Sequence, residues 1–114
     1  MKLSFVAIIA ASLLAISSSA IADPAVDIAS IVKNSKGDCL NCHQVDRKIV
    51  GPAWKDVAAK YKGDANAQAT LVNKVIKGGS GHWNNETGGL PMTPHPFKPT
   101  KEEIEQIVAS ILQM

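Results

Sequence analysis

The stretch Cys39-Leu40-Asn41-Cys42-His43 constrains this chain most, because it holds both of the cysteines in the sequence. A disulfide between these cysteines would close only a very small loop, and the stabilisation from a crosslink grows with loop length. A thioredoxin-like redox pair follows a strand in a βαβ unit, whereas the residues before Cys39 have a helical pattern. Zinc would need further ligands at recognisable spacing, and the chain has only three histidines. The CxxCH spacing instead indicates a c-type haem attachment site.

In this interpretation both thiols add to the haem vinyl groups as thioethers. The three-residue offset places Cys39 and Cys42 on one side of a helical turn, and His43 follows where its ring can reach the iron. A covalent haem would also enlarge a small core. A domain of this size buries only about 60 to 65% of its unfolded surface and is marginal without a staple or cofactor.

The first 22 residues predict a cleavable export signal. A positive Met1-Lys2 start is followed by an apolar run over residues 3–16 and by Ala20-Ile21-Ala22, a signal-peptidase pattern. We predict cleavage after Ala22, which leaves residues 23–114 as one domain. A retained membrane anchor is the alternative, although the apolar run is shorter than the roughly 18 residues that span a bilayer.

The apolar pattern predicts helices and no strands. One helix is expected to begin at Pro24 with Asp23 as its cap and to end near Gly37, with its apolar residues on one face. A capping box over residues 100–103 opens another amphipathic helix. Two further helices are predicted over residues 54–62 and 68–77. No stretch alternates like a strand, so the predicted fold is all-α, with about four helices.

Met92 is the candidate for a second axial iron ligand. The other two methionines are the initiator and the last residue. Pro91 and Pro94 flank Met92 and stiffen the segment that would present its sulfur. His82 and His95 are rival ligands, and Met92 filling a gap in the core is the structural alternative. The choice matters because His/Met ligation favours electron transfer, whereas an open position favours binding or activating small molecules.

These motifs, in this order, resemble the class I c-type cytochromes, specifically the short bacterial kind that serves as a soluble periplasmic electron carrier. The matching segments are GDCLNCH at 37–43, VGPAWKDVAAKY at 50–61, GGSGHW at 78–83 and PM at 91–92. The resemblance implies that about four helices wrap one haem c, which Cys39 and Cys42 hold covalently. It also implies that His43 and Met92 ligate the iron.

The resemblance also implies roles for residues around the haem. The Pro52 carbonyl is expected to accept a hydrogen bond from the ring nitrogen of His43 that is not on the metal, which fixes the ring's orientation. Trp83 is expected at the haem edge with its indole N–H towards a propionate, or else simply as a core aromatic. Lys74 occupies a position where the family often has a basic residue near a propionate, and a solvated helix face is the alternative.

Three features depart from the family pattern. The loop before the Met92 ligand, residues 84–90, is longer than in the short cytochromes. His95 stands where an asparagine often donates a hydrogen bond to the ligand sulfur. Ser110 stands where an aromatic commonly packs near Gly37, so we expect a weaker contact between the first and last helices.

The implied function is one-electron transfer by a carrier that is not an enzyme. Its expected partners are periplasmic or membrane-bound redox proteins that dock transiently at the haem edge, and the chain is expected to be monomeric. Without Lys2 the exported chain has 11 basic and 10 acidic residues, so docking should depend on an apolar patch with a local rim of lysines. The near balance of charge argues against nucleic acid.

Two other functions stay open at this point. A haem enzyme or gas sensor would result if Met92 does not bind the iron or leaves it readily. A thiol-disulfide oxidoreductase would require both cysteines to be free in the exported protein.

Overall fold

The computed structural model describes residues 24–114, with side chains from Ile28 onward; the predicted signal peptide and Asp23 lie outside the described residues. The helices are α1 (Pro24–Asn34), α2 (Trp54–Lys60), α3 (Ala67–Lys77), α4 (Asn84–Thr87) and α5 (Lys101–Leu112). Two 3₁₀ turns cover Cys39–Asn41 and Gly81–Trp83. Residues 24–114 contain no strand, which confirms the all-α prediction, and none of their helices is long and apolar enough to cross a membrane.

The helix α5 is the element on which α1, α2 and α3 pack. The Thr100 hydroxyl accepts a hydrogen bond from the Glu103 backbone N–H at 3.3 Å, and the Glu103 carboxylate accepts one from the Thr100 N–H at 2.8 Å. These two bonds confirm the predicted capping box. The core consists of apolar side chains from α1, α2, α3 and α5: Ile28, Val32, Trp54, Val57, Leu71, Val72, Ile104, Ile107, Val108 and Ile111.

The end of α1 differs from the prediction. The helix ends at Asn34, and Lys36, not Gly37, takes the left-handed backbone conformation, with φ of +54°. Gly37 permits close packing instead, because a Cβ atom there would lie 2.8 Å from Cγ of Pro99.

Ser110, which we expected to weaken the contact of α5 with α1, is buried on α5.

The longer loop over residues 84–90 contains α4, which the sequence did not predict. The left-handed Gly88, at φ +64°, caps this single turn, and its N–H donates to the Asn84 carbonyl. The Gly89 N–H donates to the same carbonyl at 2.8 Å. Four residues are too few to show a helical period, so only the glycine pair hinted at a turn.

We expect Lys36→Gly to raise the free energy of unfolding by about 0.5–1 kcal/mol, since glycine removes the Cβ penalty of the left-handed conformation. Chemical denaturation of the haem-loaded protein measures this change. Lys36→Ala is the control, because it removes the charge and keeps the penalty. Equal stabilisation by both variants would show that the lysine charge, not the backbone, is responsible.

Candidate functional site

A cavity of about 280 Å³ opens among α2, α3, α5 and the loops before and after them. Most of its surface is apolar, supplied by side chains of the core. The six residues predicted to bind the haem all border it: Cys39, Cys42, His43, Pro52, Trp83 and Met92. The fold therefore brings together side chains that are up to 53 residues apart in sequence.

Two contacts fix the orientation of the His43 ring. Its Nδ1 atom lies 2.8 Å from the Pro52 carbonyl oxygen, the contact that the resemblance implies. A carbonyl only accepts, so Nδ1 carries the hydrogen and Nε2 keeps its lone pair. The ring also stacks on Trp54, with centroids 5.8 Å apart. Burial lowers the pKa of His43, against an opposing effect of the Pro52 bond, and so favours the neutral imidazole that binds metals.

Gly51 makes room for this ring. A Cβ atom at position 51 would lie 2.9 Å from both ring nitrogens of His43, closer than such atoms approach without something moving. The Gly51 N–H also donates to the Cys42 carbonyl at 2.7 Å, which ties this segment to the CxxCH turn. The His43 ring therefore leaves room only for a glycine at position 51.

The cysteines are both free thiols in the structure. Cys42 is exposed and Cys39 is half-buried, and burial is the main cause that raises the pKa of the Cys39 thiol. A raised pKa disfavours the thiolate that thiol-disulfide exchange requires. The element before them is α1, not a strand, and residues 24–114 hold no cluster of three or more metal-binding side chains. The redox-thiol and zinc alternatives therefore find no support here.

The segment that carries Met92 is held by backbone hydrogen bonds to α3 and the loop after it. The Met92 N–H donates to the Gly79 carbonyl at 3.1 Å, and the Gly79 N–H donates to the Met92 carbonyl at 3.0 Å. The His95 N–H donates to the Val75 carbonyl at 2.9 Å. Gly78 has φ of +71°, and a Cβ there would lie 2.8 Å from the backbone nitrogen of Pro94. These contacts set the position of Met92 at the cavity.

The two rival ligands are placed differently. His82 is exposed and does not border the cavity. His95 does border it, but its Nε2 lies 3.0 Å from Oδ1 of Asp38. Since a carboxylate accepts, Nε2 carries a hydrogen, and the buried Nδ1 has no hydrogen-bond partner among the described residues. The Asp38–His95 contact joins the residue before the CxxCH motif to the segment after Met92, a link that the sequence did not predict.

Two lysines lie near the 3₁₀ turn Gly81–Trp83. The Lys60 ammonium is 4.2 Å from the centroid of the Trp83 ring and donates to the His82 carbonyl at 3.1 Å. Lys74 borders the cavity, and its Nζ would lie 3.1 Å from a Cβ built on Gly81. Lys74 is therefore part of the cavity wall as well as of the α3 surface.

We expect Gly51→Ala to displace the His43 ring and to lower the free energy of unfolding by about 1–3 kcal/mol, the usual cost of overpacking. The visible spectrum of the haem-loaded protein should change as well, because the ring would move. Gly63→Ala is the control: Gly63 has φ of +81° and nothing within 4 Å, so it should lose stability without a spectral change. An unchanged spectrum in Gly51→Ala would contradict the inference.

We expect Asp38→Asn to lower stability near neutral pH. The hydrogen bond from His95 holds the pKa of the Asp38 carboxyl below its ordinary value of 3.8. Because the pKa of Asp38 is lower in the folded protein, the contact adds stability at pH values above 3.8. This stability is lost as the pH falls through the lowered pKa. The effect should be below about 1 kcal/mol because Asp38 is exposed.

Denaturation of both proteins from pH 7 to pH 2 measures this difference, which should shrink towards pH 2. In a His95→Gln background, Asp38→Asn should have little further effect. A difference between wild type and Asp38→Asn that is constant with pH would contradict the assignment.

Comparison with known proteins agrees with this geometry. Residues 28–114 match the family model for cytochrome c. The chain is 48% identical over 85 residues to cytochrome c-551 of Allochromatium vinosum, an alignment that covers 75% of this chain and 85% of that protein. It is 41% identical over 95 residues to cytochrome c-552 of Nitrosomonas europaea, covering 83% and 82%. The crystal structure of wild-type Nitrosomonas europaea cytochrome c552 superposes with a TM-score of 0.64 at 36% identity, over 75% of this chain and 96% of that one.

The residues at the cavity fit the cofactor of these relatives. An apolar cavity bordered by two free thiols and by an oriented, neutral imidazole suits a covalent haem c with iron. Proteins of this kind transfer electrons and are not enzymes. The chain therefore belongs to the cytochrome c family, as a small class I c-type cytochrome.

Proposed function

We propose that this protein is a soluble periplasmic one-electron carrier that binds haem iron through His43 and Met92 and shuttles electrons between respiratory redox partners. One observation carries the proposal: His43 and Met92 border the same cavity, where the Pro52 carbonyl holds the His43 ring and Gly79 holds the Met92 backbone. When bound, the haem supplies the one-electron chemistry.

The protein residues have distinct tasks in this proposal. Cys39 and Cys42 attach the haem, and His43 offers the lone pair of Nε2 while Pro52 holds its Nδ1 hydrogen. Met92 offers its sulfur from a segment fixed to Gly79. If His43 and Met92 both bound the iron, the protein would leave no free position for a substrate, and a change of oxidation state would need little movement of atoms. These properties suit a carrier.

We also propose that residues 1–22 are a cleaved export signal and that residues 23–114 form the periplasmic domain. The composition of the first 22 residues supports this division, and the family match begins at residue 28. The comparison proteins are bacterial c-type cytochromes, which is consistent with export.

The docking surface is proposed to be the apolar side of the cavity mouth. Val50 and Leu90 both border the cavity, with 43% and 55% of their surfaces exposed. Ile49 extends this patch along the chain, and Arg47 and Lys48 are basic neighbours. Such a surface suits transient contact with a redox protein, in which apolar area excludes water and a few charges orient the partner.

Absorption spectra of the haem-loaded protein test the ligand set. We expect a weak far-red sulfur-to-iron charge-transfer band in the oxidised wild type and no carbon monoxide binding in the reduced wild type. Met92→Ala should lose the band and bind carbon monoxide.

Met114→Ala is the matched control, because Met114 packs against the core away from the cavity. It should keep the band. A wild type that lacks the band and binds carbon monoxide would favour gas sensing or catalysis over electron carriage. Intact mass of the same sample, with alkylation of any free thiol, checks attachment at Cys39 and Cys42 independently.

A further inference from the structure

Phe97 is an aromatic residue that lies almost entirely in solvent. Its exposed fraction is 85%, the highest among the large apolar side chains that the structure describes as exposed. Phe97 does not border the haem cavity, so a bound haem would not cover it. A single exposed apolar residue is common on protein surfaces and needs no explanation by itself. The surroundings of Phe97 distinguish it from that ordinary case.

The backbone on both sides of Phe97 is held in place. Two residues before it, the His95 N–H donates to the Val75 carbonyl at 2.9 Å. Two residues after it, Pro99 is fully buried. Pro96 directly precedes Phe97 and restricts the backbone further. An aromatic ring presented from such a fixed segment loses little backbone freedom when a partner binds it.

The segment that carries Phe97 lies against the haem attachment turn. A Cβ atom on Gly37 would lie 2.8 Å from Cγ of Pro99 and 3.3 Å from Sγ of Cys39, so these two residues approach each other at Gly37. Pro99 and Cys39 also both border the haem cavity. A protein seated on Phe97 would therefore lie close to the cysteine that is expected to bond the haem.

Two exposed lysines, Lys36 and Lys98, are each one residue from this contact. Neither has a carboxylate partner among the described residues. The carboxylate nearest to Lys36 in the sequence, Asp38, is held by His95. Lys36 also keeps its side chain in a left-handed backbone conformation, at φ +54°, which glycine adopts at lower cost. The exposed ring of Phe97 thus has positive charge beside it.

We propose that Lys36, Phe97 and Lys98 form a docking surface for a redox protein whose cofactor lies behind an apolar pocket with an acidic rim. Phe97 inserts into that pocket, as aromatic residues are frequent anchors of protein contacts. The two lysines orient the partner through its carboxylates. This inference rests on the proposed electron carriage, adds to the apolar patch at the cavity mouth, and is independent of whether Met92 binds the iron.

Stopped-flow reduction of the oxidised, haem-loaded protein by flavodoxin tests this surface. Flavodoxin is the probe because its flavin lies in an acidic surface; its anionic hydroquinone loses one electron to become the neutral semiquinone, and the ferric protein becomes ferrous. We expect Phe97→Ala to lower the second-order rate constant about three- to tenfold. Phe97→Tyr keeps the aromatic ring and should stay within about twofold of wild type. The loss in Phe97→Ala should persist at high salt, because the contact is apolar.

The lysines are tested by their dependence on salt. Lys36→Ala and Lys98→Ala should each lower the same rate constant about twofold at low salt, and the effect should shrink as the ionic strength rises. Lys62→Ala is the matched control, because Lys62 is exposed and borders a different cavity, together with Met114. It should leave the rate constant close to that of the wild type.

Reduction by tetramethyl-p-phenylenediamine, a small uncharged one-electron donor, separates docking from the redox site. Every variant should react with it as fast as the wild type does. The docking proposal is overturned if Phe97→Ala slows both donors equally or neither, or if only the small donor reduces the wild type. Dimerisation of the wild type that Phe97→Ala abolishes would assign the surface to a second copy of the chain and also overturn it. A wild type that neither donor reduces would contradict electron carriage itself, so the two failures are distinguishable.

Discussion

The hydrogen bond between His43 and the Pro52 carbonyl is the contact on which the site depends. It joins the end of the CxxCH turn to the segment that begins α2, and it decides which ring nitrogen is free. Its geometry requires a glycine at position 51, because any larger residue would meet the ring, and Trp54 stacks on the same ring. An imidazole held in this way loses little further freedom when it binds a metal, which is a general way to strengthen a ligand.

The segment around Met92 is held by backbone hydrogen bonds and by prolines, not by a side-chain hydrogen bond like that of His43. It has no regular secondary structure of its own, and prolines stiffen it while hydrogen bonds to Gly79 and Val75 set its register. The Asp38–His95 contact adds a link to the CxxCH side of the cavity. The two segments proposed to ligate the iron are therefore connected through protein contacts alone. Such connection limits the movement of either segment during a change of oxidation state.

The loop over residues 84–90, which the resemblance predicts to be longer than in the short cytochromes, has regular structure. Its residues form α4, closed by Gly88 and Gly89, in place of an extended connection. The turn lies between Trp83 and the Met92 segment, and its last residue, Thr87, borders the mostly apolar cavity. This loop therefore reaches the wall of the cofactor site through Thr87 and Leu90.

The sequence alone determined the helical fold, the capping box of α5, the haem motif and six of the residues that border the cavity. These properties depend on local spacing and residue chemistry, and the four predicted helices are present, with the ends of α1, α2 and α3 shifted by one to three residues. The tertiary structure decided the rest: the left-handed backbone of Lys36, the Asp38–His95 pair and the turn α4. Asp38 and His95 are 57 residues apart, and no local pattern relates them. Their contact exists only because packing on α5 brings the two segments together.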